Sequence, residues 1–429
     1  MIFMGNVVFL FKSSILNWEL NGIICLEVKG MLNKLYSRSY QQVLRLGMKV
    51  LKIRKPVLLE GENSLLQLPQ LIQSKGIKNV LIVTDKGITS IGLMKGLLEK
   101  LNEANISYVI FDETVPNPTI QNIEDAKDLY MANRCEGIIA FGGGSPIDCA
   151  KGVAARIVRP EKTIPQMKGM FKILKEMPPF IAVPTTAGTG SEATVAAVIS
   201  NPETHEKYPI MDFILVPHYA VLDPILTINL PKHITSTTGM DALTHAVEAY
   251  IGRSNTPETR EFSREAIQLI YDNLLVAYNE PYNIEVRANM QRAAYLAGMA
   301  FTRAYVGNVH AIAHTLGGFY NVPHGLANAV IMPYVLEYYG EAVYKPLAEL
   351  ADLVGLAVGK SEKEQAEAFI EWIKDMNRQM DIPKKIKGIQ TKDIPTMAKR
   401  AINEANPLYP VPKIMDVKDM AYMYMAIRE

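Results

Sequence analysis

Cysteine is nearly absent from this chain: Cys25, Cys135 and Cys149 are the only three in 429 residues. Three scattered thiols cannot build a disulfide framework, and they fit a reducing, cytoplasmic setting. Excess charge is absent too, because 45 basic residues face 44 acidic ones and leave +1. A dedicated nucleic-acid binder would carry a basic surplus, so no nucleic-acid partner is expected. No apolar run approaches the ~20 residues that span a bilayer, so no membrane partner is expected either. The opening MIFMGNVVFLFKSSILNWELNGIICLEVKG is apolar, but Lys12 and Glu19 break it and no small-residue cleavage site follows. It does not qualify as a signal peptide.

Apolar residues are plentiful at 48%, and 429 residues suffice for two domains with separate cores. Residues 1–47 read as an N-terminal extension. Within it, Met31 opens MLNKLYSRSYQQVLRLGMKVLKIRKP, which carries Lys34, Arg38, Arg45, Lys49, Lys52, Arg54 and Lys55 and no acid. Residues 1–30 have no evident partner in the rest of the pattern, and Met31 is the expected start of translation. The basic stretch is expected to be a solvated helix packed on the domain rather than a membrane-surface helix.

From residue 77 short β-rich runs alternate with helical stretches. IKNVLIVTD (77–85), ISYVIFD (106–112) and GIIAF (137–141) read as strands, with helices over 91–104 and 119–134. FIAVP (180–184) and YAVLDP (219–224) add further strands. Such alternation predicts parallel βαβ units with both sheet faces covered. After Pro231 amphipathic helical stretches such as 261–278 and 285–301 take over and strand signals become scarce. The expected architecture is therefore an α/β domain over 48–230 with a parallel sheet, followed by an all-helical domain over 231–429.

The helical half concentrates the chain's chemistry. Asp241 and His245 sit in TTGMDALTHAVEAYIGR, one helical turn apart on a single face. His310 opens HAIAHTLGGFYNVPHG, with His314 one turn beneath it. Gly317-Gly318 are expected to end that helix, and Pro323 to stiffen the approach to His324. Alone, an Asp-x-x-x-His pair is usually an exposed polar face, and a lone buried His is usually hydrogen-bonded core. Together these segments are otherwise Ala, Ile, Leu and Gly, where several ionisable groups need a compensating charge or metal. Asp241, His245, His310 and His324 are accordingly the expected ligands of one divalent cation.

Two loops in the first half suit a nucleotide. FGGGSPIDCAKG (141–152) follows a strand and starts a helix, so backbone amides at Gly143 and Gly144 can meet a pyrophosphate at the helix N-terminus. Ser145 is expected as N-cap, Pro146 as the first helical residue and Asp148 as the partner in a capping box. The plainer alternative is a tight turn. VPTTAGTGSEAT (183–194) offers Thr185, Thr186, Thr189 and Ser191 as small hydroxyl donors, or else is simply a flexible Gly/Thr turn. Asp85, at a strand end, can bind a ribose diol and repel a 2′-phosphate, which favours NAD over NADP. Cys149 is read as a packed small residue.

VTD, PNPT, GGGSPID, PTTAGTGSE, GMDALTHAVEAY and HAIAHTLGGFYNVPHG together resemble the iron-containing (group III) alcohol dehydrogenase family, from about residue 56 to the end. The resemblance implies a dehydroquinate synthase-like architecture: an N-terminal dinucleotide-binding α/β domain, an all-α C-terminal domain and an active site between them. It implies Fe2+ on Asp241, His245, His310 and His324, with Zn2+ able to replace it. It implies NAD contacts at Asp85, Asn117, Gly144, Ser145, Thr185, Thr186, Thr189, Thr194 and Lys207, to which the reading of the glycine-rich turn adds Gly143 and Asp148. His314 falls on the family's histidine near the nicotinamide, and Phe301 on a substrate-pocket position. Cytoplasmic dimers or larger homo-oligomers are also implied.

Two departures carry information. Thr315 stands where many members have Pro, which loosens the expected end of that helix. Ala196 stands where lactaldehyde reductases of the family carry a polar residue, which favours simple aliphatic substrates. The expected reaction is NAD(H)-dependent interconversion of a primary alcohol and its aldehyde by hydride transfer at the metal, with His314 relaying the proton. The alternatives are a glycerol, diol or lactaldehyde-type activity, a dehydroquinate synthase-like lyase, or a catalytically idle metal- or cofactor-binding protein.

Overall fold

The structure, a computed structural model, describes residues 24–50, 53–204 and 206–429, with side chains of the first helix described over 31–47. Residues 1–23, most of the segment expected to precede the true start, lie outside the described residues. Nine strands occur among the described residues: β1 (Val57–Glu60), β2 (Asn79–Val83), β3 (Ser107–Phe111), β4 (Gly137–Gly142), β5 (Gly169–Met170), β6 (Phe180–Pro184), β7 (Ala196–Asn201), β8 (Glu206–Met211) and β9 (Tyr219–Leu222). Six of them form one parallel sheet in the order β1-β9-β6-β4-β2-β3.

The central strands are apolar at their buried positions because both faces are covered. In β2, Val80 and Ile82 face one core with Ile139, Phe141, Ile181 and Val183, while Leu81 and Val83 face another with Ile138, Ala140, Phe180 and Ala182. Helices α2 (Leu68–Ser74) and α4 (Lys95–Glu103) cover the first face, and α5 (Ile120–Ala132) and α6 (Gly144–Val158) the second. Between α2 and α4 lies the short α3 (Lys86–Ser90). The expected 91–104 helix is thus shorter and preceded by a separate turn, because Gly92 adopts φ +66° and interrupts it. The chain leaves β2 outward to β3 and then returns to β4 on its other side. That reversal opens a crevice at the carboxyl ends of β2 and β4, where such sheets take their ligands.

The second sheet, β5-β8-β7, was not expected. Its β7–β8 hairpin is half-exposed and contains Pro209, so it lacks the apolar run that marks the central strands. β7 packs on α6 and helps close the crevice.

Beyond β9 every regular element is helical: α7 (Lys232–Ile251), α8 (Pro257–Asn279), α9 (Ile284–Ala304), α10 (Asn308–Tyr320), α11 (His324–Tyr339), α12 (Tyr344–Leu353), α13 (Glu362–Gln379), α14 (Ile394–Ala405) and α15 (Val417–Ile427), with short 3-10 turns between some of them. One contiguous core joins all nine helices. α10 passes through Gly317 and Gly318, contrary to expectation, and ends at Asn321 in the left-handed conformation. Burial of His310 to Leu316 holds it, since packing outweighs the ~1 kcal/mol helix penalty of each glycine. Thr315 does not loosen the helix, because its hydroxyl donates to the Ile312 carbonyl at 2.8 Å and bonds Tyr424. Helix α1 (Ile24–Val50) packs on this helical half, with Ser37 and Gln41 buried.

Candidate metal centre

Three helices converge on one point. α7 brings Asp241 and His245, α10 brings His310, and α11 begins at His324. One ligand atom from each of these four residues lies within 4.8 Å of all the others. Gly325 permits this approach: a Cβ there would overlap the Thr237 carbonyl oxygen and stand 3.4 Å from Asp241 Cβ. α11 therefore starts directly against α7, with His324 at its first turn.

The donor set fits a divalent cation. Burial pushes the His245 and His324 imidazoles well below their ordinary pKa, so both are neutral with a free lone pair. Burial also raises the Asp241 carboxyl, which marks a charge lacking compensation in its surroundings. An anionic oxygen with three imidazole nitrogens suits iron or zinc alike, and zinc binds such sets more tightly, so the donors alone do not choose.

Three residues the sequence did not point to complete the arrangement. Glu248, buried on α7, accepts from His310 Nδ1 at 2.7 Å, from the Gly307 amide at 2.7 Å and from the Val309 amide at 2.8 Å. With Nδ1–H given to the carboxylate, His310 presents the lone pair of Nε2 to the other ligands. Gly307 makes room, since a Cβ there would sit 2.5 Å from Glu248 Oε1. Asn328, one turn after His324, donates to Asp241 Oδ1 at 2.6 Å and lies 3.2 Å from Nε2 of both His310 and His324. Glu404 on α14 accepts from His314 Nδ1 at 2.6 Å and from the Tyr409 hydroxyl at 2.8 Å. Glu248 was readable, three residues after His245 on the same face, and Asn328 likewise; Glu404 is ninety residues from His314 and gave no signal.

The four-residue group opens on a cavity of about 220 Å³ lined by His245, His310, His314 and His324 on one side. Seven of the eleven expected cofactor residues line it as well: Asn117, Gly144, Ser145, Asp148, Thr189, Thr194 and Lys207. Ala196 and Phe301 are in the wall, and the Phe301 ring stacks on His245 at 4.2 Å between centroids. Asp85, Gly143, Thr185 and Thr186 are not in that lining. Asp85 caps α3 through Oδ1, which accepts from Ile88 N at 3.0 Å, and its second oxygen stays available. Thr185 and Thr186 follow β6, beside the glycine-rich turn, with Thr186 3.4 Å from where a Gly143 Cβ would be.

The expected cap of α6 is different in the structure. Gly143 is the N-cap, Gly144 the first helical residue and Ser145 the second, with no side-chain cap. Ser145 Oγ instead accepts from Asn117 N at 3.2 Å, and Asp148 accepts from Val198 N at 3.1 Å across to β7. Burial raises the Asp148 carboxyl to about 6. Lys151, also buried, donates to Thr194 O, Thr194 Oγ1 and Ala196 O at 2.8–2.9 Å. The helix end is thereby left with its first amides free of side-chain partners, which is what an anion needs. Lys207 Nζ donates to Asn117 Oδ1 at 2.8 Å and brings positive charge to the same wall.

Comparison with known proteins agrees with this geometry. The iron-containing alcohol dehydrogenase family pattern matches residues 56–224, and the C-terminal pattern of the Fe-containing alcohol dehydrogenase family matches 235–427. The 1,3-propanediol dehydrogenase of Klebsiella pneumoniae is 40% identical over 351 residues, 81% of this chain and 90% of that one. The solved alcohol dehydrogenase from Oenococcus oeni superposes with a TM-score of 0.84 at 35% identity, over 88% of this chain and 99% of its own. A sulfoacetaldehyde reductase from Bifidobacterium kashiwanohense, solved with NAD+, gives 0.77 at 26% identity over 88% and 98%. The chain belongs to the iron-containing alcohol dehydrogenase family, and it is an oxidoreductase of that kind.

Proposed function

We propose, with that membership as premise, that this enzyme interconverts a primary alcohol and its aldehyde with NAD(H), using iron(II) held by Asp241, His245, His310 and His324. The carrying observation is the convergence of those four side chains, from three helices, beside the cavity that the glycine-rich and threonine-rich loops also reach. A divalent ion there supplies Lewis acidity, lowering the pKa of an alcohol and polarising an aldehyde, an effect of several kcal/mol on the barrier.

The chain's own residues supply the rest. The free amides at the start of α6, with Gly143 and Gly144, bind the pyrophosphate, and Thr185, Thr186, Thr189 and Thr194 line its approach. Asp85 uses its uncommitted oxygen on a ribose diol, which disfavours a 2′-phosphate. Lys207, Asn117, Ser145 and Asp148 form the wall on the nucleotide side. Glu248 fixes His310 in the tautomer a metal requires, and Phe301 shields His245 from water. His314 takes the proton released as the alcohol is oxidised and is oriented by Glu404. Phe301 and Ala196 leave an apolar substrate end, which suits short aliphatic chains.

The division into an extension over 1–47, a cofactor domain over 48–230 and a metal-binding domain over 231–429 is part of the same reading. A homo-oligomer is supported by edge strand β1, which among the described residues pairs only with β9 and exposes Val57 at 58%. The buried, unpaired Cys135 and Cys149 suit the cytoplasm. A diol substrate is the second reading, favoured by the likeness to the Klebsiella 1,3-propanediol dehydrogenase.

Metal-stripped protein, reloaded with Fe(II) or Zn(II), is assayed for NADH formation with butan-1-ol and 1,3-propanediol and for the reverse with butanal. Turnover that needs metal, prefers NAD and is faster with butanol is the expected result. Undiminished turnover after thorough chelation, or none with any alcohol in the reloaded protein, overturns it.

A further inference from the structure

The segment 406–412, NPLYPVP, has one backbone hydrogen bond within itself, from Val411 N to Tyr409 O at 2.9 Å. Pro407, Pro410 and Pro412 have no N–H, so its carbonyls need donors from elsewhere. Those donors come largely from α1. Arg38 forks onto two of them, donating to Val411 O at 2.7 Å and Pro412 O at 2.9 Å. Gln41 donates to Tyr409 O at 2.7 Å and Pro407 O at 3.2 Å, and its own oxygen accepts from Arg38 at 3.0 Å. Of the others, Pro410 O accepts from Arg253 N, and within the segment Val411 N also donates to Tyr409 O. Gln41 is 5% exposed, so these bonds are sheltered from water.

In the middle of the segment stands Tyr409, which lines the cavity. Its hydroxyl donates to the same Glu404 oxygen that accepts from His314. A continuous set of bonds therefore runs from α1 through the segment to Tyr409, Glu404 and His314. Yet α1 precedes residue 56, where the family match begins.

We propose that α1 is a working part of the active site, with Arg38 and Gln41 as positioning residues that hold Tyr409 against Glu404 and so fix His314. This rests on His314 acting in the proposed reaction. The N-terminal extension is then a component of this enzyme that the family pattern does not contain.

The test uses the full, metal-loaded chain and four variants: Gln41→Met, Tyr409→Phe, their combination, and Arg38→Lys. Gln41→Met keeps the bulk of the side chain and removes its donors. We expect kcat for butan-1-ol to fall on the order of tenfold in Gln41→Met and in Tyr409→Phe, with KM for NAD and metal content unchanged. The double variant should be no worse than either single one, because both break the same connection. Arg38→Lys, whose single ammonium does not reproduce the fork onto Val411 O and Pro412 O, should lower kcat in the same direction. Wild-type kcat in Gln41→Met, or multiplied losses in the double variant, overturns the proposal. Amide exchange is the independent arm should Gln41→Met fold poorly or the wild-type enzyme oxidise no alcohol. Arg38→Lys should then speed exchange at Tyr409 and Val411 with α14 and α15 unchanged, and unaltered protection there refutes the clamp whatever the substrate is.

Discussion

Glu248→Gln tests whether the residues behind the metal ligands matter as the geometry requires. The wild-type carboxylate is an acceptor only, and it meets three buried donors: His310 Nδ1, Gly307 N and Val309 N. Glutamine keeps the shape but has one oxygen and an NH2. With its oxygen placed towards Gly307 and His310, the NH2 confronts the Val309 amide and leaves one buried donor unmatched, at about 1–3 kcal/mol. In the other orientation the NH2 faces His310 Nδ1, which can accept only by moving its proton to Nε2. That proton would then occupy the lone pair intended for the metal. Either way the divalent ion binds more weakly, by about 10- to 100-fold on the precedent of such supporting contacts, or about 1.4–2.7 kcal/mol. Two measurements separate the effects. Urea unfolding of chelated protein reads the hydrogen-bond loss alone, and competition with a chromophoric chelator reads metal affinity. Wild-type values in both would show that Glu248 does not hold His310 in one tautomer.

Three further outcomes follow from other parts of the site. Asp241→Ala or His324→Ala should abolish alcohol-dependent NADH formation while NAD binding, followed by calorimetry, changes little; full activity in either would refute the metal assignment. Gly325→Ala should push α11 away from α7, costing about 1–3 kcal/mol of stability and weakening metal binding together; thermal unfolding and metal analysis check both, and an unchanged protein would mean the two helices do not meet as closely as described. Burial raises the Glu192 carboxyl from 4.5 to about 7, so its contribution to stability is complete below about pH 4.5 and is lost as pH climbs through 7. Glu192→Gln removes that slope, and above pH 7 the variant should gain roughly 3 kcal/mol on the wild type, relative to their difference in acid. Parallel urea-unfolding curves for the two proteins across that range would show that Glu192 is not buried as a carboxylate.

The parts of the fold that were legible share one physical property. β2, β4 and β6 are covered on both faces, so every buried position must be apolar and the run stands out. β7 and β8 are covered on one face only, and their residues (AAVISN and EKYPIM) mix small, polar and proline side chains. Nothing in such a composition separates a strand from a loop until the partner strand is known. The α6 cap illustrates the opposite failure. Ser145, Pro146 and Asp148 have the right spacing for a capping box, but Ser145 is claimed by Asn117 and Asp148 by β7, and the local signal loses to tertiary partners. For an anion site that loss is useful, because a serine cap would compete for the amides a phosphate must reach.

The candidate metal ligands stand out in the sequence because a helix turns chemistry into spacing: Asp241 and His245 are one turn apart, and adding three more residues reaches Glu248 on the same face. That second acid was in plain sight, and its role follows from asking which carboxylate would orient the histidine nearest to it. Glu404 and α1 are different. Their contribution exists only because α14 lies beside α10 and because a proline-rich segment leaves carbonyls in need of donors. A single sequence can show that NPLYPVP lacks amides, but not which residues supply them. The general consequence is a rule for reading such chains. Where a segment with several prolines is buried near a candidate site, its missing donors must be located, since the residues that provide them are as much a part of the site as the ligands.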